Sequence, residues 1–123
     1  MGTFEIKTAK SGTMFNLKAS NAQVVATSQV YKSRRSCLKG VEAVRRAAAD
    51  AATEDQTAEG FKKAANPKFE VYADKKGEFR FRLKAKNGQI VAVGEGYTTL
   101  KACLAGVESV KKNAAAAKVV DAK

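Results

Sequence analysis

Glu78-Phe79-Arg80-Phe81-Arg82-Leu83-Lys84-Ala85 alternates charged and apolar residues without a break. In an extended chain successive side chains point to opposite faces. Phe79, Phe81, Leu83 and Ala85 therefore line one face, and Glu78, Arg80, Arg82 and Lys84 line the other. The stretch reads as a half-buried antiparallel strand with a charged, solvated side. Lys75-Lys76-Gly77 before it and Asn87-Gly88 after it mark hairpin turns, the Asn-Gly pair because both residues accept positive φ. Residues 69–73 and 89–94 flank these turns as further strands.

Working outward, Tyr97-Thr98-Thr99 leads into a segment where Cys103, Val107, Val110 and Ala114 recur at helical spacing, with Thr98 or Thr99 placed as the N-cap. The whole run has an earlier copy. Phe4-Glu5-Ile6 matches Phe69-Glu70-Val71, and Phe15-Asn16-Leu17-Lys18-Ala19 matches Phe81-Arg82-Leu83-Lys84-Ala85. Cys37-Leu38-Lys39-Gly40-Val41-Glu42-Ala43-Val44 matches Cys103-Leu104-Ala105-Gly106-Val107-Glu108-Ser109-Val110. In the first copy Asn21-Ala22 stands for the Asn-Gly turn, Ser33 is the cap, and Cys37, Val41, Val44 and Ala48 form the apolar helix stripe.

Phe4 and Phe69 lie 65 positions apart, whereas Phe15 and Phe81 lie 66 apart. One residue is thus missing from the first copy, placed between Gly12 and Phe15 next to the first hairpin turn. A turn absorbs such a change; in mid-strand it would swap the buried and exposed faces. Gly40 and Gly106 recur inside the helices, where glycine costs about 1 kcal/mol relative to alanine. Their duplication predicts a close approach, with the sheet as the expected neighbour. After the helices the copies diverge. Val119-Val120 predicts a short last strand, and Thr53-Glu54 is its weaker counterpart.

Two copies are too few for a stacked solenoid, and each alone has a marginal core. The reading is one domain over residues 1–123: repeat one at about 2–57, a linker at about 58–66 and repeat two at about 67–123. The copies are expected to bury their cores jointly about an internal pseudo-twofold axis, as equivalent patches do in a symmetric dimer, giving a monomeric pseudo-dimer. Gly60 and Asn66-Pro67 break regular structure in the linker, and the cations Lys62, Lys63 and Lys68 around it are expected to be mobile.

The string Phe69-Glu70-x-Tyr72, then Asp74-Lys75-Lys76-Gly77 through Ala85, Asn87-Gly88-Gln89, Gly96-Tyr97, and the helix with Cys103, Gly106-Val107 and Ser109-Val110-Lys111-Lys112-Asn113 resembles the YegP-like family. These are small bacterial proteins built of a domain of unknown function, often in tandem. The first copy matches less closely, with Met14-Phe15-Asn16 and Ala22 at the corresponding places. The resemblance implies an α+β fold: two tandem β(3)-α-β repeats forming one mainly antiparallel sheet with exchanged C-terminal strands and two helices packed on one face. It brings no established activity and no site residues.

The chain carries 23 Lys and Arg against 12 Asp and Glu, a formal net charge of +11, and no histidine. The dyads and triads that use histidine as base are therefore absent. Cys37 and Cys103 lie on the apolar helix stripes, where thiols act as inert small hydrophobes. A disulfide across the pseudo-twofold axis remains open, although a reducing cytoplasm disfavours it. The two cysteines give too few ligands for a metal site, and no cofactor motif is present. No signal peptide or membrane span is read, so a cytoplasmic location is expected. The expectation is a non-catalytic interaction or structural module with an unknown protein partner. The alternative is sequence-tolerant binding of nucleic acid or another polyanion through a basic sheet face formed by Lys18, Arg80, Arg82 and Lys84. Glu5 and Glu70 on neighbouring strands stand ready to neutralise part of that face. Arg35, Lys39 and Arg46 form an outer stripe on the first helix around Glu42, and Lys101 and Lys112 flank Glu108 on the second.

Overall fold

The computed structural model describes residues 2–121. Strands β1 (Thr3–Ala9), β2 (Gly12–Lys18) and β3 (Val24–Thr27) precede helix α1 (Arg34–Asp50) and strand β4 (Ala52–Asp55). The order repeats as β5 (Lys68–Ala73), β6 (Phe79–Lys84), β7 (Ile90–Val93), α2 (Leu100–Ala114) and β8 (Lys118–Asp121). All eight strands join one sheet in the order β4-β5-β6-β7-β3-β2-β1-β8. Each unit thus gives its last strand to the other: β4 runs parallel to β5, and β8 parallel to β1. The remaining pairings are antiparallel. The units meet at the centre through the single partner pair Thr27 and Val93.

Register explains the core. Phe69 faces Leu83 and Val71 faces Phe81 across β5 and β6, while Phe4 faces Leu17 and Ile6 faces Phe15 across β1 and β2. These eight side chains are buried, together with Cys37, Val41 and Val44 of α1 and Cys103, Val107 and Val110 of α2. Burying a side chain of this size stabilises by about 1.5–3 kcal/mol, which is why alternating strands and striped helices close on each other. Both helices rest on one face of the sheet, and each touches strands of both units.

Two local readings are corrected and one is refined. The missing residue lies in the turn itself: Lys10-Ser11 joins β1 to β2, whereas Lys75-Lys76-Gly77 closes the later hairpin, with Asp74 and Glu78 hydrogen-bonded at its base. Gly12 therefore takes the place of Glu78, and it lies against the Tyr31 carbonyl with no room for a side chain. At the Asn-Gly turn only Gly88 has positive φ, at 84°, and Ala22 takes that place at 69° in the first copy. The loop has three residues and needs one left-handed position rather than two. Thr99, not Thr98, caps α2: its hydroxyl accepts from the Ala102 N–H at 3.1 Å, as the Ser33 hydroxyl does from Ser36.

The helix glycines do mark close approaches, but the neighbour is a tyrosine rather than the sheet backbone. A Cβ on Gly40 would overlap the Tyr31 hydroxyl, and one on Gly106 would meet Tyr97. Each tyrosine bridges back to its hairpin, Tyr31 to Thr13 and Tyr97 to Phe79. Their rings stack on Phe15 and Phe81, both at 6.4 Å between centroids. The glycine thus admits the ring that ties the strand-to-helix connection onto the core.

Candidate functional site

The face of the sheet opposite the helices carries the cations singled out by the alternation in β6. Arg82 and Lys84 both reach Glu70 Oε1, at 2.6 and 3.3 Å. Arg80 bonds Asp74 at 2.7 Å and lies 3.7 Å from Glu78. In the first unit Lys18 bonds Glu5 at 3.1 Å, and Lys7 approaches the same carboxylate at 3.7 Å. The structure therefore brings Arg80, Arg82 and Lys84 onto one surface and gives each a carboxylate partner. The outward aromatic, Tyr72, has the Arg82 guanidinium 4.7 Å above its ring, so this face is covered.

Lys68 is not a mobile linker cation. It is the first residue of β5 and is buried, with its ammonium 2.9 Å from Glu54 and 3.2 Å from Glu70. Glu54 also accepts from the Gln56 side chain at 2.6 Å and from the Ala64 N–H at 2.7 Å. Parallel pairing of β4 and β5 forces the chain between them to run back along the sheet. The Ala64 bond pins that returning segment over the charged face, which is what buries Glu54. On this half of the sheet Lys68, Arg80, Arg82 and Lys84 face Glu54, Glu70, Asp74 and Glu78: four cations against four carboxylates. The first half lacks the arrangement, because Val120 stands where Glu54 does and Thr3 where Lys68 does.

Hydrogen bonds from Gln56, Lys68 and the Ala64 N–H outweigh burial and lower the Glu54 carboxyl from its ordinary 4.5 to about 2. Burial alone would raise Glu70, but hydrogen bonds from Arg82, Lys68 and Lys84 lower it as well. A carboxylate depressed in the folded state stabilises fully above its unfolded pKa, and that contribution disappears as pH falls through the folded value. Stability is therefore expected to be flat with pH just above 5 and to fall between about 4.5 and 2. Glu54→Gln should make this fall shallower in urea-denaturation midpoints measured against pH; an unchanged slope would show that Glu54 contributes nothing to it.

The thiols of Cys37 and Cys103 are free and fully buried. Burial pushes Cys37 up and Cys103 to about 11, which disfavours the thiolate that nucleophilic chemistry uses. Among the described residues no three Cys, Asp or Glu side chains gather as a cation site, and no helix is long and apolar enough to cross a membrane.

The helix layer differs from the sheet in its charges. Arg34 pairs with Asp121, Arg45 approaches Glu42, and Lys111 approaches Glu108. Arg45 also lies over the Phe4 ring and Lys111 over Phe69, so each covers the core of the exchanged strand pair beside it. Arg35, Lys39 and Arg46 are exposed and make no ion pair among the described residues. Two clefts related by the pseudo-twofold axis flank this layer. One lies between α1 and the β6–β7 turn, the other between α2 and the β2–β3 turn.

Comparison with known proteins places this geometry. The profile of the family described as a domain of unknown function (DUF1508) matches residues 9–55 and again 74–121. The chain belongs to this family. The UPF0339 protein in the ptx operon 5′ region of Stutzerimonas stutzeri is 40% identical over 121 residues, spanning 98% of this chain and 96% of that protein. The UPF0339 protein YegP of Yersinia pestis is 36% identical over 114 residues, spanning 92% and 88%. A UPF0339 protein of Treponema denticola is 59% identical over 54 residues, which are 44% of this chain but 93% of that protein. The solution structure of yegP from E. coli, described as a protein of unknown function, superposes with a TM-score of 0.78 at 29% identity, covering 98% of this chain and 91% of that one. The tandem α+β architecture of this chain is thus shared with the E. coli structure.

Proposed function

We propose that this protein is a non-catalytic interaction module that holds a protein partner on its surface. One observation carries the reading: the groups with chemical reactivity are engaged in the fold. Both thiols are in the core with raised pKa values, and Glu54 and Glu70 are buried, ionised and saturated with donors. With no histidine in the chain, general acid–base work near neutral pH lacks its usual residue. Affinity capture from cell lysate, with and without nuclease, tests it. A discrete protein retained after nuclease treatment is expected; an empty eluate, or retention of nucleic acid alone, overturns it.

The net charge of +11 favours a second reading, sequence-tolerant polyanion binding by Lys18, Arg80, Arg82 and Lys84. Their ion pairs work against it, because a phosphate must displace a carboxylate at each of them. Under this reading log affinity for a single-stranded oligonucleotide falls by about 0.7 per phosphate with log salt. Reversing Arg80, Arg82 and Lys84 to glutamate should then weaken binding far more than reversing the exposed Lys62, Lys63 and Lys76. Our reading expects equal losses from the two triplets, the mark of net charge without a binding face.

A further inference from the structure

The two clefts beside the helices share a backbone frame and differ in chemistry. The α1 cleft, about 630 Å³, is floored by Ala43, Ala47, Pro67 and Ala85. Arg46 and Lys86 stand at its rim, and it continues along α1 past Leu38 to Arg35 and Lys39. The acids on the same surface are Glu42, which already approaches Arg45, and Asp50. Four cations thus face two acids along this groove.

The α2 cleft replaces these features one by one. Ser109 stands for Ala43, Asn113 for Ala47, Ala105 for Lys39 and Ser20 for Lys86. Asn113 donates to the Ser109 carbonyl and hydroxyl at 2.8 and 3.1 Å, and its side chain also abuts Gly2. Over the same span, with Lys101 at the place of Arg35 and Ala116 at that of Asp50, two cations, Lys101 and Lys112, meet one acid, Glu108, which approaches Lys111. The fold is the same on both sides, so folding does not require the cationic, apolar chemistry of the α1 cleft.

We infer that the groove along α1, from Arg35 to Lys86, docks an acidic amphipathic peptide segment of a partner protein. Apolar side chains of the segment enter between Ala43, Ala47, Pro67 and Ala85, and its carboxylates meet Arg35, Lys39, Arg46 and Lys86. Asp50 at the far end offers acceptors to peptide N–H groups. A nucleic acid strand fits less well, because no aromatic lines the groove to stack a base. The inference rests on the reading of the chain as an interaction module and names its surface and partner chemistry.

The test is fluorescence anisotropy with a labelled 16-residue helical peptide carrying Leu on one face and Glu on the other, with a Leu-to-Ser version, and with an oligothymidylate. Three variants of the full chain are compared. Arg46→Glu with Lys86→Glu alters the groove; Lys101→Glu with Lys112→Glu makes the same charge change on α2. Ala43→Ser with Ala47→Asn copies the α2 residues without changing charge. Thermal melts establish that each is folded; any that is not is replaced by the single exposed change Lys86→Glu or Lys112→Glu on its own side, with Ala85→Ser for the neutral pair. The groove reversal should weaken Leu-peptide binding about tenfold or more, and the α2 reversal by about twofold or less. The neutral change should weaken the Leu peptide and leave the Ser peptide alone. Equal losses from both reversals, equal affinity for the two peptides, tighter binding of the oligothymidylate, or no peptide binding would overturn the inference. If the groove reversal still captures the same lysate protein as wild type, the groove is wrong and the module stands; if wild type captures none, the module reading itself fails.

Discussion

A chain ending at Thr57 is expected to be unfolded as a monomer, or to self-associate. The full chain pairs β4 with β5 and β8 with β1, so this fragment loses the partner of its last strand and the strand that closes β1. Helix α1 also loses β5, β6 and β7, against which it packs as well as against its own unit. A unit of this size buries only about 60% of its extended surface even when complete. What remains is three paired strands and a helix stripped of the other unit's apolar contacts, with two bare edges. Two fragments can restore each other by exchanging β4, the C2 counterpart of the pseudo-twofold chain. The Treponema denticola relative, 93% of which is covered by a 54-residue match, is about one unit long. Sedimentation velocity and amide exchange decide the matter. A protected, monomeric fragment would show that joint burial is not what holds the fold.

Most of the fold was legible because it was written twice in periodic form. The β6 alternation gave the buried face, and the helix stripes gave the faces that pack on it. The exchange of β4 and β8 was legible only through the family resemblance, since Thr53-Glu54 carries no strand pattern of its own. It becomes a strand because β5 offers it an edge and Lys68 offers Glu54 a partner. The helix glycines announced a close contact without naming it, because Tyr31 and Tyr97 come from the connection before each helix and meet the glycines only once that connection folds back onto the core.

The charged surface was less legible. Alternation placed Arg80, Arg82 and Lys84 together and put Glu70 opposite, yet it said nothing of the returning segment that buries Glu54. A signal was present: Glu54 and Lys68 replace Val120 and Thr3 of the other copy, two departures of opposite sign. Opposite charges gained together at positions that a shared strand pair brings side by side point to a buried ion pair. The α1 groove hid for a different reason. Arg46 belongs to a helix and Lys86 to a hairpin of the other unit, and only the exchange of units sets them on one rim.

Phe81→Ala is expected to destabilise the protein by about 3–5 kcal/mol, a large share of what a domain of this size has. The ring is 1% exposed, edge-on to Phe69 at 6.0 Å and stacked on Tyr97 at 6.4 Å. A Cβ on Gly94 would overlap it and one on Gly106 would meet it at 3.1 Å, so both glycines are shaped around this side chain. Collapse into the vacated space is hindered, because Tyr97 is held by its bridge to Phe79 and Phe69 by its strand pair. The cavity term therefore adds to the lost transfer term rather than relaxing away. The loss also unseats Tyr97 from α2, so amide exchange near Gly106 should speed up along with global unfolding. Leu83→Ala, in the same strand but stacked on no ring, should cost about 2–5 kcal/mol. Urea denaturation measures both. Near-wild-type midpoints for the two variants would place these side chains outside the core and remove the basis for reading β6 as the strand that decides the fold.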